Sequence, residues 1–264
     1  MIHWNPDPEI LHIGPFILKW YSLFFILSFL LGYVIIVWIY KKENLPEKYV
    51  DELPIYVFFG TLIGARLGHC LFYEPSYYFS NPLEIVKVWR GGLASHGAAV
   101  GILTALYLYL RNKPKQTYLW LVDRVVIVVA LSGFFIRMGN LFNSEIVGKP
   151  ASVAWAFIFS RIDNVPRHPA QLYEALAYLC IFGVLFGIYK KKTVSIPKGF
   201  LFGIFLIGIF AFRFFVEFLK ENQSSFEAGM VLNMGQLLSI PFVLLGIFLV
   251  MRVKVKNRHA ISKN

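Results

Sequence analysis

The sequence has few charged residues and few cysteines for its length. Only 16% of its 264 residues are charged and 57% are hydrophobic, whereas soluble domains carry about 25% charged and about 45–50% apolar residues. Disorder is excluded because ample apolar surface is available for burial. Cys70 and Cys180 are the only cysteines and both lie in apolar runs, which excludes a disulfide-stapled secreted module. The composition therefore indicates a bundle of membrane helices.

Seven apolar runs approach or exceed the length of about 20 residues that a helix needs to cross a bilayer. We place these spans at about residues 16–40, 52–73, 93–110, 119–139, 171–189, 199–219 and 232–251. The third run is the shortest. The expected fold is an all-α polytopic membrane protein that forms a single integral-membrane domain over residues 1–264. The long connector at about 140–170 contains aromatic and apolar residues, and we expect it to form a small structured cap.

The basic residues are divided unequally between the two sides of these spans. Of the 26 Lys and Arg residues, fifteen fall on one side, seven on the other and four within spans. The positive-inside rule then places the C-terminus in the cytoplasm and the N-terminus outside, which seven spans satisfy. The formal net charge of +11 is therefore mostly a topology signal. It indicates no nucleic-acid partner, because the sequence provides no basic patch on a folded polar surface.

Ionisable side chains within a span are costly and usually face the bundle interior or a water-filled cavity. Several ionisable residues and one amide, Gln171, share one depth near the outer leaflet; the ionisable ones are Arg66, His96, Arg137, His168, Glu174, Arg213 and Glu217. Each also has a plainer explanation, such as an i,i+4 ion pair, snorkelling to the interface or a hydrogen-bonded interior histidine. Taken together they are too many for helix cohesion alone, and they predict one polar layer.

The residue types in this layer suit a phospholipid headgroup. Arginine binds phosphate with two parallel hydrogen bonds, and the nearby glycines would let backbone N–H groups approach an anion. A histidine that titrates near neutrality can accept a proton. The sequence has no HExxH motif, no Cys/His pair at metal-ligand spacing and no GxSxG elbow, so we expect no metal site.

Two other classes of protein could carry such a layer. The main alternative is a seven-span phospholipid-binding transporter or receptor, and a third class is a structural membrane subunit. A transporter is expected to place its polar layer near mid-membrane and to show related halves, and the sequence shows neither. A structural subunit would not need so many buried charges.

Short motifs occur in a fixed order along nearly the whole chain. They are Trp20-Tyr21, Gly64-Ala65-Arg66-Leu67-Gly68, Arg90-Gly91-Gly92 followed by His96-Gly97, Arg137-Met138-Gly139-Asn140 with Asn143, Glu145 and Gly148, His168-Pro169-Ala170-Gln171-Leu172-Tyr173-Glu174, Phe212-Arg213-Phe214-Phe215-Val216-Glu217-Phe218, and Gly235-Gln236-Leu237-Leu238-Ser239. In this order and spacing the sequence resembles the prolipoprotein diacylglyceryl transferase family of the bacterial inner membrane.

The resemblance implies a reaction and its partners. The family transfers the sn-1,2-diacylglyceryl group of phosphatidylglycerol to the thiol of a lipobox cysteine in the signal peptide of a preprolipoprotein. A thioether forms and glycerol phosphate leaves, as the first step of lipoprotein maturation. The expected partners are phosphatidylglycerol, lipobox signal peptides and membrane lipid. No metal or other cofactor is expected, and the expected location is the bacterial inner membrane, crossed several times.

Four residues are the candidates for catalysis under this resemblance. We expect His96 to take the proton of the thiol and Arg213 to support the phosphate or the leaving group. Tyr21 and Glu217 belong to the same polar layer, where Glu217 is expected to orient Arg213.

Six residues are the candidates for binding phosphatidylglycerol. Arg137 matches the arginine of the family signature and is expected to hold the lipid phosphate. Asn140, Asn143 and Glu145 are expected to orient the hydroxyl groups of the headgroup. Two further members complete the candidate set, Gly148 and Arg66.

The sequence departs from the commonest form of the family at several positions. Ile136 and Ser144 stand where glycine is usual, Leu141 where phenylalanine is usual, and Ile209 where tyrosine is frequent. The residues before His96 also differ. None of these departures removes a charged or catalytic candidate, but they bear on the fine shape of the headgroup pocket.

Overall fold

Helices make up most of the chain in the computed structural model, which describes residues 1–14, 16–111, 113, 116–221, 227 and 229–261. The helices are α1 (Trp20–Lys42), α2 (Lys48–Phe72), α3 (Pro75–Ser80), α4 (Ser95–Leu110), α5 (Tyr118–Asn143), α6 (Ala170–Lys192), α7 (Phe200–Val216) and α8 (Met234–Ile261). Single turns of 3₁₀ helix lie at Pro82–Glu84, Val88–Arg90, Thr193–Ser195 and Glu217–Leu219.

Short strands form two small sheets. They are β1 (Ile2–Trp4), β2 (Glu9–Ile13), β3 (Phe16–Lys19), β4 (Phe157–Phe159) and β5 (Pro166–Arg167). β1 pairs with β4 in parallel and β4 pairs with β5 antiparallel, while β2 and β3 form an antiparallel hairpin. The expected cap in the connector at 140–170 therefore exists as a small sheet, and it also recruits the N-terminal strand.

Six helices of the described chain are long and apolar enough to cross a membrane by length and composition. They are α1, α2, α5, α6, the segment Phe200–Leu219 that contains α7, and Met234–Val253 within α8. α4 is apolar but has only 16 residues, which is about 24 Å of helix. The protein is thus a mostly helical, multi-pass membrane protein.

The start of the first span differs from the expectation. The apolar run from residue 16 predicted a helix there, but residues 16–19 form β3 and α1 begins at Trp20. β3 pairs with β2 in a register that aligns Lys19 with Glu9. A short apolar run cannot be assigned to helix or strand by its hydropathy alone. Here residues 16–19 form a strand because they pair with β2.

The chain divides into two units, each described by itself. The first unit consists of Met1–Ile35 and Asp123–Asn264, and the second of Ile36–Val122.

Neighbouring helices of the first unit run antiparallel. In α1 and α5, Gly32 lies against Val128 and Tyr21 against Gly139. In α5 and α6, Gly133 lies against Tyr178. α6 and α7 also pack antiparallel to each other, as do α7 and α8. As a result the start of α1, the end of α5, the start of α6, the end of α7 and the start of α8 share one end of this unit.

The opposite end of the first unit is fixed by a buried aspartate. The carboxylate of Asp123 in α5 accepts hydrogen bonds from the backbone N–H groups of Gly199 and Phe202, at 2.6 and 2.8 Å. Free N–H groups at a helix N-terminus need such acceptors, so Asp123 determines where α7 begins. Its place near the end of a span is therefore explained by structure.

In the second unit, α2 and α4 pack backbone against backbone. Gly60, Gly64 and Gly68 of α2 face Gly97 and Gly101 of α4 in antiparallel order. A Cβ atom at any of these glycines would meet backbone atoms of the other helix. Small residues at four-residue spacing allow this close approach between membrane helices.

The cap of the first unit has its own apolar core. Leu141, Phe157 and Phe159 are buried there, and Trp4 packs against them. The indole N–H of Trp4 donates to the carbonyl of Leu141 at 2.9 Å. The departure at Leu141 therefore falls in this core, at the base of the cap.

Candidate active site

Arg137 lies in the last two turns of α5, where α6 passes beside it. Its Nε is 3.1 Å from Oε2 of Glu174, a carboxylate that is fully buried. Nη1 of the same guanidinium donates to Oδ1 of Asn140 at 3.2 Å, and the hydroxyl of Tyr178 donates to Oε1 of Glu174 at 3.4 Å. Glu174 and Asn140 therefore hold Arg137 at the shared end of the helices.

Asn140 links Arg137 to a second carboxylate. Its Nδ2 donates to Oε2 of Glu145 at 3.0 Å, and Nδ2 of Asn143 donates to Oε1 of the same carboxylate at 3.1 Å. The backbone carbonyl of Glu145 also accepts a hydrogen bond from the side chain of Gln171. The carboxylate of Glu145 is thus fixed between two amides while its residue stays exposed.

The backbone on both sides of Glu145 is strained. Ser144 and Ile146 have φ angles of 56° and 57°, in the left-handed region that non-glycine residues rarely occupy. Such strain costs on the order of 1 kcal/mol or more per residue and concentrates at functional sites. The glycine that the family usually has at position 144 would suit this conformation, so the departure at Ser144 has a physical cost.

Arg213 and Glu217 occupy the end of α7 and the 3₁₀ turn that follows it. Nε of Arg213 is 3.6 Å from Oε1 of Glu217. Oε1 of Glu217 also accepts a hydrogen bond from Nζ of Lys220 at 2.7 Å, and Oε2 accepts one from Nδ2 of Asn233 at 3.0 Å. Gly235 lies directly against the carboxylate, where a Cβ atom would collide with it.

Lys220 connects the two arginine-bearing parts of the site. Its Nζ lies 3.8 Å from Oε1 of Glu174 in addition to its bond with Glu217. Arg137, Glu174, Lys220, Glu217 and Arg213 therefore form one continuous chain of charged groups, which we call the charged cluster.

Tyr21 stands beside this cluster at the start of α1. Its ring packs against Gly139, where a Cβ atom would lie 2.6 Å from Cδ2 of the ring. Its hydroxyl interacts electrostatically with both Glu145 and Arg137. The sequence-based grouping of Tyr21 with the arginine layer is consistent with this position.

A cavity of about 630 Å³ opens next to these residues within the first unit. Asn143 and Glu145 form part of its wall, and the rest comes from residues 5–9, Lys19 and Arg161. Its lining is therefore mainly polar, and it carries carboxylates as well as cations.

Gly148 has a packing role in the structure. Its N–H donates to the carbonyl of His168 at 3.1 Å, and its carbonyl accepts a hydrogen bond from Arg167 at 3.3 Å. A Cβ atom there would meet His168 and the carbonyl of Leu219. Because its N–H donates to His168, Gly148 packs this loop, and the lipid-binding role that we expected for it stays a prediction.

Surface ion pairs hold the loop around Gly148 in place. Arg167 contacts Asp163 at 2.6 Å and Glu221 at 2.8 Å. The hydrogen bond from Arg167 holds the pKa of the Asp163 carboxyl below its usual range. These pairs join the cap to the segment that carries Lys220.

His96 and Arg66 belong to the second unit and are described within it. His96 is exposed in the first turn of α4. Its ring stacks on Tyr73 and meets Phe72 edge-on, with ring centroids 5.7 and 5.6 Å apart. An exposed imidazole on an aromatic platform is accessible to a substrate group.

Arg66 is only 4% exposed and serves as an anchor. Its guanidinium donates to the carbonyls of Glu84, Ile85, Gly91 and Gly92. Its carbon Cζ lies 4.9 Å from the centre of the Tyr78 ring. These contacts occupy four of its five N–H groups, which favours an anchoring role for the connector after α2 over the phosphate contact that we expected.

Comparison with known proteins decides the family. A sequence model described as "Prolipoprotein diacylglyceryl transferase" matches residues 8–252. The chain belongs to the prolipoprotein diacylglyceryl transferase family. The family and the transferase class expected from the motifs are therefore confirmed.

Relatives of the transferase come from distant bacteria. A phosphatidylglycerol–prolipoprotein diacylglyceryl transferase of Tolumonas auensis is 48% identical over 251 residues, covering 95% of this chain and 97% of the relative. Proteins of the same name from Chloroherpeton thalassium and Bacteroides fragilis are each 47% identical, covering 94% of this chain and 93% of the relative.

Three residues that contact the candidate residues or their partners were missing from the candidate set. Glu174 was placed in the polar layer but given no role, Lys220 was counted only as a connector charge, and Tyr178 was not considered. The spacing held a signal for two of them, since Lys220 follows Glu217 by three residues and Tyr178 follows Glu174 by four, the spacings at which side chains on a helix meet. Among the described residues no group of His, Cys, Asp or Glu side chains could hold a metal ion.

Proposed function

We propose that this transferase moves the sn-1,2-diacylglyceryl group of phosphatidylglycerol onto the thiol of a lipobox cysteine in a preprolipoprotein signal peptide. Prolipoprotein diacylglyceryl transfer in lipoprotein maturation is the activity of its family. The observation that supports the site most strongly is the pair Arg137 and Arg213, each held by a buried carboxylate at the shared end of the first unit.

The reaction makes a carbon–sulfur bond and breaks a carbon–oxygen bond. The sulfur of the thiolate attacks the glyceryl carbon that bears the phosphate ester. The bonding electrons leave with the ester oxygen, so glycerol phosphate departs, and the thiol proton passes to a base. The phosphate changes from a singly charged diester toward a doubly charged monoester. The group that gains charge in the transition state is therefore the phosphate, and fixed cations stabilise it.

Arg137 and Arg213 are the cations in this proposal. Two guanidinium groups can bind the phosphate oxygens with paired hydrogen bonds. Their carboxylate partners keep them preorganised, so that little reorganisation is needed as the charge grows. Arg137 would hold the phosphate of the bound lipid and Arg213 the oxygens of the leaving group.

The thiol needs a base because the thiolate is the nucleophile. We assign this role to His96, because an exposed neutral imidazole can accept a proton. Tyr21 completes the polar layer beside Arg137 and Glu145, where its hydroxyl can donate to a lipid oxygen. The substrate supplies the thiol, so neither cysteine of the chain takes part.

The headgroup of phosphatidylglycerol ends in two hydroxyl groups. Carboxylates and amides together are suitable partners for such hydroxyls. Asn140, Asn143 and Glu145 present both kinds of group, and the last two line the cavity of about 630 Å³. We therefore place the glycerol end of the headgroup at the mouth of this cavity.

The proposed topology has seven spans in a single integral-membrane domain, with the N-terminus outside and the C-terminus in the cytoplasm. α4 is the additional span, because it packs along Gly60, Gly64 and Gly68 of the long apolar helix α2 and so shares its depth. Antiparallel packing of neighbouring helices supports the alternation of direction. The membrane is the bacterial inner membrane, and we propose no nucleic-acid partner.

A defined transfer assay tests the function. Purified transferase is incubated with phosphatidylglycerol and a lipobox peptide, and the peptide mass is followed. We expect a gain equal to the diacylglyceryl group on the cysteine, and no gain on a matched peptide with serine in place of the cysteine. A folded preparation that binds the lipid but never modifies the peptide would support the transporter or receptor alternative instead.

A further inference from the structure

Lys220 has an uncommon environment for a lysine. It is 0% exposed, and its ammonium lies between two buried carboxylates, at 2.7 Å from Glu217 and 3.8 Å from Glu174. Lysines are almost never fully buried unless they are paired, and removing one partner of a buried ion pair is strongly destabilising. The site therefore retains a costly group that has no contact role in the proposed reaction.

The backbone directs this side chain inward. Lys149 N–H donates to the carbonyl of Leu219 at 2.8 Å, and Glu221 N–H donates to the carbonyl of Val147 at 3.3 Å. Lys220 itself lies opposite Gly148 in an isolated antiparallel bridge. The start of the segment after α7 is thus hydrogen-bonded to the loop of the cap, with Lys220 buried between the exposed residues Leu219 and Glu221.

Each carboxylate that contacts Lys220 also contacts one arginine. Glu174 uses Oε2 for Nε of Arg137 at 3.1 Å and its other oxygen for Lys220. Glu217 uses Oε1 for both Lys220 and Nε of Arg213, at 2.7 and 3.6 Å. Lys220 therefore joins the two arginine–glutamate pairs of the charged cluster through its own ion pairs.

The charge of the cluster depends on this lysine. Arg137, Arg213 and Lys220 are three cations, and Glu174 and Glu217 are two carboxylates, which leaves one positive charge. Glu145 lies outside the cluster, on an exposed residue and bonded to amides. A phosphodiester carries one negative charge, so the cluster and the lipid phosphate together are neutral. Without Lys220 the charge of each arginine would be cancelled by its own carboxylate. The negative charge of the bound phosphate would then have no positive charge to neutralise it.

We infer that Lys220 is a positioning residue for the phosphodiester of the lipid: it fixes the two arginine–glutamate pairs relative to each other and supplies the positive charge that the phosphate neutralises. This inference rests on the proposed function for the identity of the ligand. It assigns the binding of an anionic headgroup to a residue that touches neither the lipid nor the thiol.

The test compares lipid binding by full-length variants in detergent micelles. Competition with a fluorescent phosphatidylglycerol gives the Kd for phosphatidylglycerol, and zwitterionic phosphatidylcholine serves as the reference lipid. We expect Lys220→Met to weaken phosphatidylglycerol binding about tenfold or more, which is the scale of one unit charge about 10 Å away at an effective dielectric constant of about 20. Lys220→Arg should restore most of the affinity. Lys149→Met removes an exposed lysine from the same region and should leave the Kd unchanged.

A double variant separates charge from folding. Glu217→Gln with Lys220→Met again leaves one net positive charge and no unpaired buried carboxylate at this position. It should bind phosphatidylglycerol more tightly than Lys220→Met alone, even though it has lost more contacts. If Lys220→Met does not fold, Glu217→Gln alone is compared with the double variant. The two differ only in the lysine, and binding should be about tenfold weaker without it.

Equal phosphatidylglycerol binding by folded proteins with and without the lysine would overturn the inference. So would a double variant that binds no better than a folded Lys220→Met variant. Failure of the proposed function gives a different pattern, because a wild-type protein that binds phosphatidylglycerol but transfers nothing to the peptide leaves these binding comparisons intact.

Discussion

At the scale of single residues, the arginines of this chain perform two different tasks. Arg137 and Arg213 each contact a carboxylate with Nε, which leaves terminal N–H groups for a ligand. Arg66 instead gives its N–H groups to carbonyls of its own connector. The same residue type therefore pairs with buried carboxylates at the proposed site in one unit and organises the backbone in the other.

Arg137→Lys tests the first task. A lysine keeps the charge but loses the planar fork that binds two phosphate oxygens, so we expect a fall of roughly a hundredfold in the rate of transfer. The initial rate of thioether formation at saturating phosphatidylglycerol measures it. Arg111→Lys, at the exposed C-cap of α4, is the matched control and should keep the wild-type rate. A wild-type rate in Arg137→Lys would remove bidentate phosphate binding from the mechanism.

Arg66→Lys tests the second task. One ammonium cannot reach four carbonyls at once, so the segment 74–92 should lose order while phosphatidylglycerol binding is affected less than in Arg137→Lys. The measurement is hydrogen–deuterium exchange of the variant compared with the wild type. The increase in exchange rate should be larger in segment 74–92 than in α5. Unchanged exchange together with a large loss of lipid affinity would return Arg66 to the phosphate site.

Ser144→Gly tests the strain next to Glu145. Serine has a positive φ here, and its buried hydroxyl has no hydrogen-bond partner among the described residues. Glycine adopts this conformation without a Cβ penalty, so the variant should be stabilised by about 1 kcal/mol. A thermal unfolding scan in detergent should show a higher Tm. A lower Tm would mean that the hydroxyl or the Cβ of serine makes a contribution larger than the strain.

At the scale of elements, packing of the α2–α4 pair depends on glycines. Gly64→Leu places a side chain against the backbone of Gly97 and Gly101, which cannot move aside. We expect this variant to lose most of its folded yield, measured as the monodisperse fraction in size-exclusion chromatography. Gly183→Leu makes the same change in α6, where the space around the glycine is open, and should fold like the wild type. A normal yield of Gly64→Leu would contradict the close packing of α2 and α4.

The elements also show how far a sequence can be interpreted. Long apolar runs locate the spanning helices, because the cost of unpaired backbone groups in lipid leaves helices as the stable form of such runs. The same reasoning misplaced residues 16–19, since their strand depends on pairing with Glu9–Ile13. The sheet of the cap was equally hard to foresee, because β1 and β4 are more than 150 residues apart in the chain.

The sequence predicted the candidate-site residues that lie together in one motif. It did not predict those whose role depends on hydrogen-bond or ion-pair partners far away in the chain. Arg137, Asn140 and Glu145 stand in one short motif, and the structure joins them by hydrogen bonds. Lys220 was missed because its charge lies just beyond a span, where only its spacing of three residues from Glu217 pointed to a buried ion pair. Gly148 and Arg66 were assigned to lipid, since a sequence cannot show that their N–H groups are already bonded to carbonyls.

At the scale of the whole molecule, the apolar helices need contact with lipid, whereas the charged groups need to be kept away from it. The helices present apolar surface to lipid, while the charged cluster gathers at one end of the first unit, where helix ends meet a small sheet. The cost of burying these charges is offset by their pairing. A charged cluster at the end of long apolar helices suits the proposed substrate, which has acyl chains on one side and a phosphate on the other.

One experiment with doubly labelled phosphatidylglycerol tests this function most directly. The acyl chains carry one isotope and the phosphate another, and the lipid is incubated with the purified transferase and a lipobox peptide. We expect the acyl label to move to the peptide and the phosphate label to appear in equal amount as water-soluble glycerol phosphate, with neither in an Arg137→Ala control. Phosphate label on the peptide, or no acyl label on it from a folded enzyme that binds the lipid, would contradict diacylglyceryl transfer at this site.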